Sequence, residues 1–383
     1  MIANAAIPLS LYIHVPWCVR KCPYCDFNSH QAAAEGIPER EYLAALLKDL
    51  EQVLPRVWGR RVSTIFFGGG TPSLLSPGLV ADLLSGIRAR IPCVPTAEIT
   101  LEANPGSIEA KKFKQFREAG VTRLSLGVQS FNDENLHVLG RIHSASQAHR
   151  AIAAVMESDF DSFNIDLMFG LPGQDITGAS KDLETALNYQ PPHLSLYQLT
   201  IEPNTPFSHS PPEDLPGDDL LSEMQDELAA QADLDGVQRY EVSAYARKGQ
   251  QCRHNLNYWE FGDYIGIGAG AHSKISDQSG VVRYSRPRLP KQYLASAGMP
   301  DAYIGERSLQ PRDLVIEYMI NALRLRKGFS LQQFSLHTGL DSAVLSEGIA
   351  RAKTMGLLLQ DDDRITTTAK GFGFLSEIQL LFS

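Results

Sequence analysis

The 383-residue chain lacks any apolar run approaching the roughly 20 residues that a membrane-spanning helix needs. Its first stretch, MIANAAIPLSLYIHV, has neither the basic start nor the small-residue cleavage site of a secretory signal, so the sequence reads as a cytoplasmic protein without a membrane span. Positive charge is also in short supply. The 35 Lys and Arg against 44 Asp and Glu leave a net charge of -9, which argues against broad, charge-driven binding to nucleic acid or anionic lipid and leaves room only for a local basic patch. Internal repeats and low-complexity tracts are missing. Cysteine is scarce, and an odd total of five in a reducing compartment points to metal ligands or redox groups rather than a disulfide framework. What is present is ample apolar content, 43%, enough for one large domain and a smaller one.

Six β-rich stretches recur with amphipathic segments between them: LYIHV (11–15), STIFFGG (63–69), AEITLEA (97–103), RLSLGVQ (123–129), FNIDLMFG (163–170) and HLSLYQLT (193–200). The intervening patterns PEREYLAALLKDLEQVL, LVADLLSGIRARI and SIEAKKFKQFREAG read as helices, the last with Ser107 as N-cap and Gly120 as its stop. Strict alternation of strand and helix implies right-handed crossovers and a parallel sheet. Six repeats make three quarters of an eight-stranded barrel, an α/β fold whose ligands gather at the C-terminal strand ends. The stretch PNTPFSHSPPEDLPG (203–217) reads as an irregular connection, followed by a helix (218–235) and a short strand pair (239–246). After about residue 300 three helical segments and a hairpin, LLLQ and RITTT, resemble a winged-helix module. Few cations mark its third helix, which favours a docked accessory domain over a DNA-binding one.

Three of the five cysteines fall within CVRKCPYCDF, as Cys18, Cys22 and Cys25, on the loop that follows the first strand. Thiolates are the usual ligands of iron–sulfur clusters, and three of them on a four-iron cube leave one iron open to chelate an amine and a carboxylate. Zinc is the plainer alternative, but a structural zinc site takes four ligands and no fourth Cys or well-spaced His lies nearby. His14, on the strand itself, reads as a packed or supporting residue.

The loop resembles that of the radical SAM superfamily, with Tyr24 as the aromatic residue before the last cysteine, and further motifs follow in the expected order. They are GGGTP after the second strand, LEANP after the third, GVQSF after the fourth, LGRIH, and NIDLMFGLP at the fifth. The resemblance implies a [4Fe–4S] cluster on the three cysteines and an S-adenosylmethionine pocket lined by Tyr12, Gly69, Gly70, Thr71, Glu102, Gln129, Arg141 and Asp166, with Thr200 a further member. Glycines there let backbone come close to a ligand, Glu102 suits ribose hydroxyls, and Arg141 suits a carboxylate.

Within the superfamily the fuller pattern is similar to the branch of oxygen-independent coproporphyrinogen III dehydrogenase. Two departures stand out: Phe27 replaces a further cysteine two residues after the last ligand, and only 17 residues precede Cys18. The segment CRHNLNYWEF (252–261) resembles instead the HNxxYW signature of HemW-type heme chaperones. That resemblance implies heme as ligand, with His254 on iron and Tyr258 and Trp259 against the porphyrin, and acceptor hemoproteins such as respiratory-chain cytochromes as partners. His272 is a second candidate ligand, Cys252 a weaker one, and a homodimer is compatible with the reading. GIGAGAHS (266–273) contains GxGxG without the first-strand context of a dinucleotide site and reads as backbone approaching cofactor or porphyrin. The expected organisation is a partial (β/α)6 barrel over 1–203, a barrel-completing segment over 204–300 and a smaller C-terminal α+β domain over 301–383. Three functions stay open: a heme carrier that retains a radical SAM site, a porphyrin oxidoreductase, and a regulator acting through its C-terminal module.

Overall fold

The computed structural model describes residues 7–106, 110–299 and 302–382. Twelve strands form one sheet: β1 (Leu9–Val15), β2 (Val62–Gly69), β3 (Cys93–Ala103), β4 (Arg123–Gln129), β5 (Ser162–Phe169), β6 (His193–Gln198), β7 (Gln238–Arg239), β8 (Ala244–Ala246), β9 (Asp263–Ile267), β10 (His272–Asp277), β11 (Gly280–Ser285) and β12 (Ile304–Ser308). Their spatial order is β12-β11-β10-β9-β1-β2-β3-β4-β5-β6-β8-β7. The six strands anticipated from the sequence are β1 to β6, paired in parallel register. A seventh, β9, joins in parallel on the free side of β1, and β10 to β12 continue the sheet antiparallel.

Strand alternation divides the sheet into two faces. Leu9, Leu11, Ile13 and Val15 of β1 are fully buried against the outer helices α1 (Glu39–Val53) and α2 (Pro77–Arg88), which contribute Leu46, Leu50, Leu83 and Ile87 to the same core. The residues between them, Ser10, Tyr12 and His14, face the interior of the partial barrel. Helix ends follow local chemistry. Ser76 caps α2 by accepting from the Leu79 N–H at 3.2 Å. Gly120, with φ +108°, stops the short helix α3 (Phe113–Glu118), after which come α4 (Ala145–Met156), α5 (Ile176–Leu187) and α6 (Asp218–Leu234). The anticipated cap Ser107 lies outside the described residues.

The GIGAGAHS stretch differs from expectation. A Cβ on Gly266 would stand 2.0 Å from the His272 carbonyl oxygen, and one on Gly268, at φ +102°, would stand 2.4 Å from the His14 oxygen. Its glycines therefore let β9 lie close to β1 and to its own return strand, an approach of protein to protein. The start of β9 is anchored by Asp263, fully buried and paired with Arg60 at 2.7 Å and Lys274 at 2.9 Å.

The C-terminal unit contains helices α8 (Pro311–Ala322), α9 (Leu331–Thr338) and α10 (Ser346–Thr354) and a small sheet of Phe329–Ser330, Leu358–Asp361 and Arg364–Thr367. Its core of Tyr318, Phe329, Phe334, Leu345 and Ile365 also takes in Ile7 and Phe261, which precede β1 and β9. The unit is thus docked on the N-terminal end of the sheet, opposite the cysteine loop. No helix among the described residues is long and apolar enough to cross a membrane.

Candidate functional site

The cysteine loop is held at its base. Trp17–Cys18 pairs in parallel with His30–Gln31, and the amides of Gly70 and Thr71 donate to the carbonyls of Val15 and Trp17, both at 2.7 Å. From the far side, the Asn28 amide donates to the carbonyls of Ala269 and Arg288 at 3.0 and 2.9 Å. Cys18, Cys22 and Cys25 are all half-buried free thiols on the wall of one cavity of about 420 Å³ at the C-terminal strand ends. Thr71 Oγ1 donates to Cys18 Sγ at 3.5 Å and Arg141 Nη1 to Cys22 Sγ at 3.7 Å. Burial pushes the Cys18 and Cys25 thiols up, so thiolates here need added positive charge, which iron supplies.

The residues fit a cluster better than a single ion. Among the described residues no group of three or more His, Cys, Asp or Glu converges closely enough to hold one metal ion, although the three thiols share a wall. His14 cannot supply a fourth ligand, because Nδ1 meets the Tyr12 hydroxyl at 3.0 Å and Nε2 the Asn28 carbonyl at 2.8 Å.

The glycines of GGGTP serve packing as well as the cavity. A Cβ on Gly69, at φ +115°, would stand 2.6 Å from the His14 ring, and one on Gly70 would stand 2.4 Å from the Trp17 carbonyl oxygen. Both residues, with Thr71, line the cavity. Glu102 lines it too, accepting from the Gly69 amide at 3.2 Å, and burial followed by repulsion from Asp166 lifts its carboxyl to about 8. Asp166, in the middle of β5 rather than at its end, accepts from Asn164 Nδ2 at 2.6 Å, and burial raises its pKa.

Arg141 crosses the cavity. Its Nη2 donates to Asn104 Oδ1 at 2.6 Å and to the Gly127 carbonyl at 2.7 Å, while the buried Nε has no partner. Gln129 ends β4 with φ +71°, a left-handed conformation that a non-glycine residue adopts at a cost, and its buried Oε1 is also unpartnered. Thr100 Oγ1 and Arg123 Nε, which belong to cavity-lining residues too, are likewise buried without partners. Buried polar groups are normally satisfied, so this wall is built for a polar ligand.

The other anticipated residues lie elsewhere. Tyr24 lines the cavity and packs on Phe207. Tyr12 is not among the cavity-lining residues; it stands one step behind, bonded to His14 and stacked on Phe66 at 6.3 Å. Thr200 is exposed and bonded to Glu202. His254, on α7 (Arg253–Trp259), is 1% exposed inside the barrel, against Phe66 at 4.9 Å and Tyr258 at 5.1 Å. Trp259 lies under the Arg324 guanidinium at 4.2 Å, where α7 meets the C-terminal unit. Of this segment only Cys252 and Asn255 reach the cavity. Cys252 is buried with Sγ 3.7 Å from Glu98 Oε1, and His272 is exposed at the start of β10.

Asn104, Ser125, Asn164, His193, Ser195 and Tyr197 also line the cavity and were missed in the sequence. The signal was there: RLSLGVQ, NID and HLSLY alternate polar with apolar, whereas a strand covered by helices on both faces would be apolar throughout. Polar alternation in a parallel strand marks a lined interior.

Comparison with known proteins agrees with this geometry. The radical SAM superfamily model matches residues 12–184 and the HemN C-terminal domain model matches residues 309–374. The fold and the three-thiol loop therefore define a radical SAM protein, a class that carries a [4Fe–4S] cluster and S-adenosylmethionine. The chain is 45% identical over 381 residues to the heme chaperone HemW of Haemophilus influenzae and 46% identical over 376 residues to that of Escherichia coli, covering 98% of both chains in each case. Among solved structures, coproporphyrinogen III oxidase (HemN) from Escherichia coli superposes with a TM-score of 0.83 at 26% identity, over 99% of this chain and 91% of that one. The chain belongs to the HemW heme chaperone family.

Proposed function

We propose that this protein binds heme and delivers it to acceptor hemoproteins, such as respiratory-chain cytochromes, under the control of its radical SAM site. Cys18, Cys22 and Cys25 would hold the cluster. Gly69, Gly70, Thr71, Glu102, Gln129, Arg141 and Asp166 would hold S-adenosylmethionine, with the free Arg141 Nε–H suited to a carboxylate and the free Gln129 Oε1 to a donor. A cluster with one open iron supplies an electron and a chelation point for that ligand. This chain's own residues orient the ligand, and the loop anchored by Asn28 limits access of water.

The observation that carries the heme reading is the state of His254. Its Nδ1 meets Thr64 Oγ1 at 2.8 Å, and that hydroxyl donates its own hydrogen to Ser10 Oγ at 2.8 Å. Nε2 is buried and without a partner, so with the proton on Nδ1, donated to Thr64 Oγ1, it is the nitrogen left free for a ligand. Burial lowers the imidazole pKa to about 3, so the ring stays neutral at physiological pH. A neutral imidazole with one nitrogen fixed and the other free is the form that ligates iron. Because His254 is 1% exposed, ligation requires α7 to swing away from the barrel interior.

A chain of contacts joins this residue to the cluster loop: the Asn28 carbonyl to His14, His14 to Tyr12, Tyr12 to Phe66, and Phe66 to His254. In our reading, cluster and S-adenosylmethionine bias this chain, and so the release of α7, through their differential affinity for its two arrangements. Hemin titration followed at the Soret band tests the ligand. His254→Ala should weaken binding about tenfold, or about 1.4 kcal/mol, with iron and sulfide content unchanged. Unchanged affinity would move the ligand elsewhere, with Tyr258 or His272 next. The porphyrin oxidoreductase reading is disfavoured by Phe27 and by the full-length likeness to HemW chaperones; vinyl products from coproporphyrinogen above background would restore it.

A further inference from the structure

A second cavity, of about 570 Å³, opens at the opposite edge of the sheet, between β7–β8 and the C-terminal unit. Five cations line it: Arg239, Arg247, Lys248, Arg326 and Lys327. Two are matched within the protein, Arg247 by Asp235 at 2.6 Å and Lys327 by Glu260. Arg239, Lys248 and Arg326 have no ion-pair partner among the described residues. In a chain of net charge -9 such a concentration of unmatched positive charge is unexpected.

The arrangement is also internally repulsive. The guanidiniums of Arg239 and Arg326 lie over the same Phe372 ring, at 4.9 and 4.6 Å from its centroid. Neither forms an ion pair with a carboxylate among the described residues. Of the two carboxylates that act on Arg239, Glu241 is already paired with Arg324 at 3.0 Å and Asp226 forms no ion pair with it. The Arg239 guanidinium is fixed by donating to the carbonyls of Glu241 and Val242, and the Arg326 guanidinium rests on the Phe372 ring, its backbone tied by an amide bond to the Tyr240 carbonyl at 3.0 Å. Two like charges thus held together favour a bound anion with paired negative groups. The remaining wall combines apolar Leu325, Ala246, the Tyr240 ring and Leu256, the last from α7 itself, with the polar Gln238 and Gln251. The volume suits a small organic ligand.

We propose that this cleft is a docking site for an amphiphilic dicarboxylate, and specifically for a tetrapyrrole held by its two propionates. The ligand class rests on the heme reading above; the cleft and its unmatched charge do not. It contains no free iron ligand, since Tyr240 Oη is bonded to His193 Nε2 at 2.8 Å. Recognition here is therefore of the carboxylates and the ring, independent of the metal. The site lies on the α7 face that carries Leu256, so cargo bound there sits beside the helix whose His254 is to be released.

The test uses the full-length protein and a metal-free dicarboxylic porphyrin, mesoporphyrin IX, with its dimethyl ester as control, followed by fluorescence. Mesoporphyrin should bind at least about tenfold more tightly than the diester, a difference of about 1.4 kcal/mol. The exposed charge reversals Lys248→Glu and Arg326→Glu should abolish that preference, and Lys248→Glu alone should reduce it in a protein whose melting temperature is unchanged. His254→Ala should leave mesoporphyrin binding as it was. Equal affinity for diacid and diester, or diacid binding unaffected by Lys248→Glu, overturns the proposal. If hemin still binds in a His254-dependent way under those outcomes, the heme reading survives alone. If no porphyrin binds at all, both fall.

Discussion

The two ends of the partial barrel carry motifs of comparable strength in the sequence but present them in opposite states. At the C-terminal strand ends, Cys18, Cys22 and Cys25 stand on the wall of an open cavity beside Arg141 and Gln129, whose polar atoms wait for a partner. At the other end, HNLNYW forms a short helix with His254 shut in behind Phe66 and Tyr258. The first set of residues is presented to an open cavity. The second is assembled for packing, and its signs of chemistry are buried polar atoms without partners, His254 Nε2 beside Asn257 Oδ1 and Trp259 Nε1. A motif therefore names residues without saying whether they are presented or stored, and burial decides between the two.

The contrast is breakable at several points. The largest effect is expected at the open site: replacing Cys18, Cys22 and Cys25 together by Ala should reduce iron and sulfide after anaerobic reconstitution to background, while replacing Cys93 and Cys252 should not. Gly70→Ala should come next. The added Cβ would stand 2.4 Å from the Trp17 carbonyl, so the loop must shift, at about 1–3 kcal/mol of stability in thermal or urea unfolding and with loss of cluster retention.

A pH effect of intermediate size follows from Glu102. Its folded pKa of about 8 lies above the ordinary carboxylate value, so the folded state binds the proton more tightly than the unfolded chain does. That contribution to stability is fully present below the unfolded pKa and is lost as pH rises through about 8. Between pH 5 and 8.5 the cofactor-free protein should lose on the order of 4 kcal/mol at most, and Glu102→Gln should flatten the profile. A wild-type melting temperature that does not fall over that range would count against a buried, protonated carboxyl. The smallest effect is expected from Tyr12→Phe, which removes the hydroxyl bonded to His14 at 3.0 Å. It should cost about 1 kcal/mol of stability and leave cluster content and hemin affinity nearly intact, while weakening the dependence of heme transfer on the cluster.

Much of this was legible in advance, for physical reasons that differ by region. The strands β1 to β6 announce themselves because each is a short apolar run between amphipathic helices, and CVRKCPYC because cysteine clustering has few other uses. β9 was hidden: its five residues sit among glycines that look like a ligand-binding turn but serve strand-to-strand contact, with Gly266 against His272 and Gly268 against His14. Asn104 was adjacent to a quoted motif, but nothing local says that it bridges Thr71 and Arg141; that depends on three elements meeting. The cationic cleft was out of reach for the same reason, since Arg239, Arg326 and Phe372 are brought together only by docking of the C-terminal unit.

The central claim is that the open site governs the closed one. Heme transfer to an apo-hemoprotein, measured by stopped-flow absorbance from protein carrying equal heme, with and without cluster and S-adenosylmethionine, tests it most directly. Transfer should be at least several-fold faster from the loaded protein, and that advantage should shrink in Tyr12→Phe. Equal rates from cluster-loaded and cluster-free protein would contradict the account.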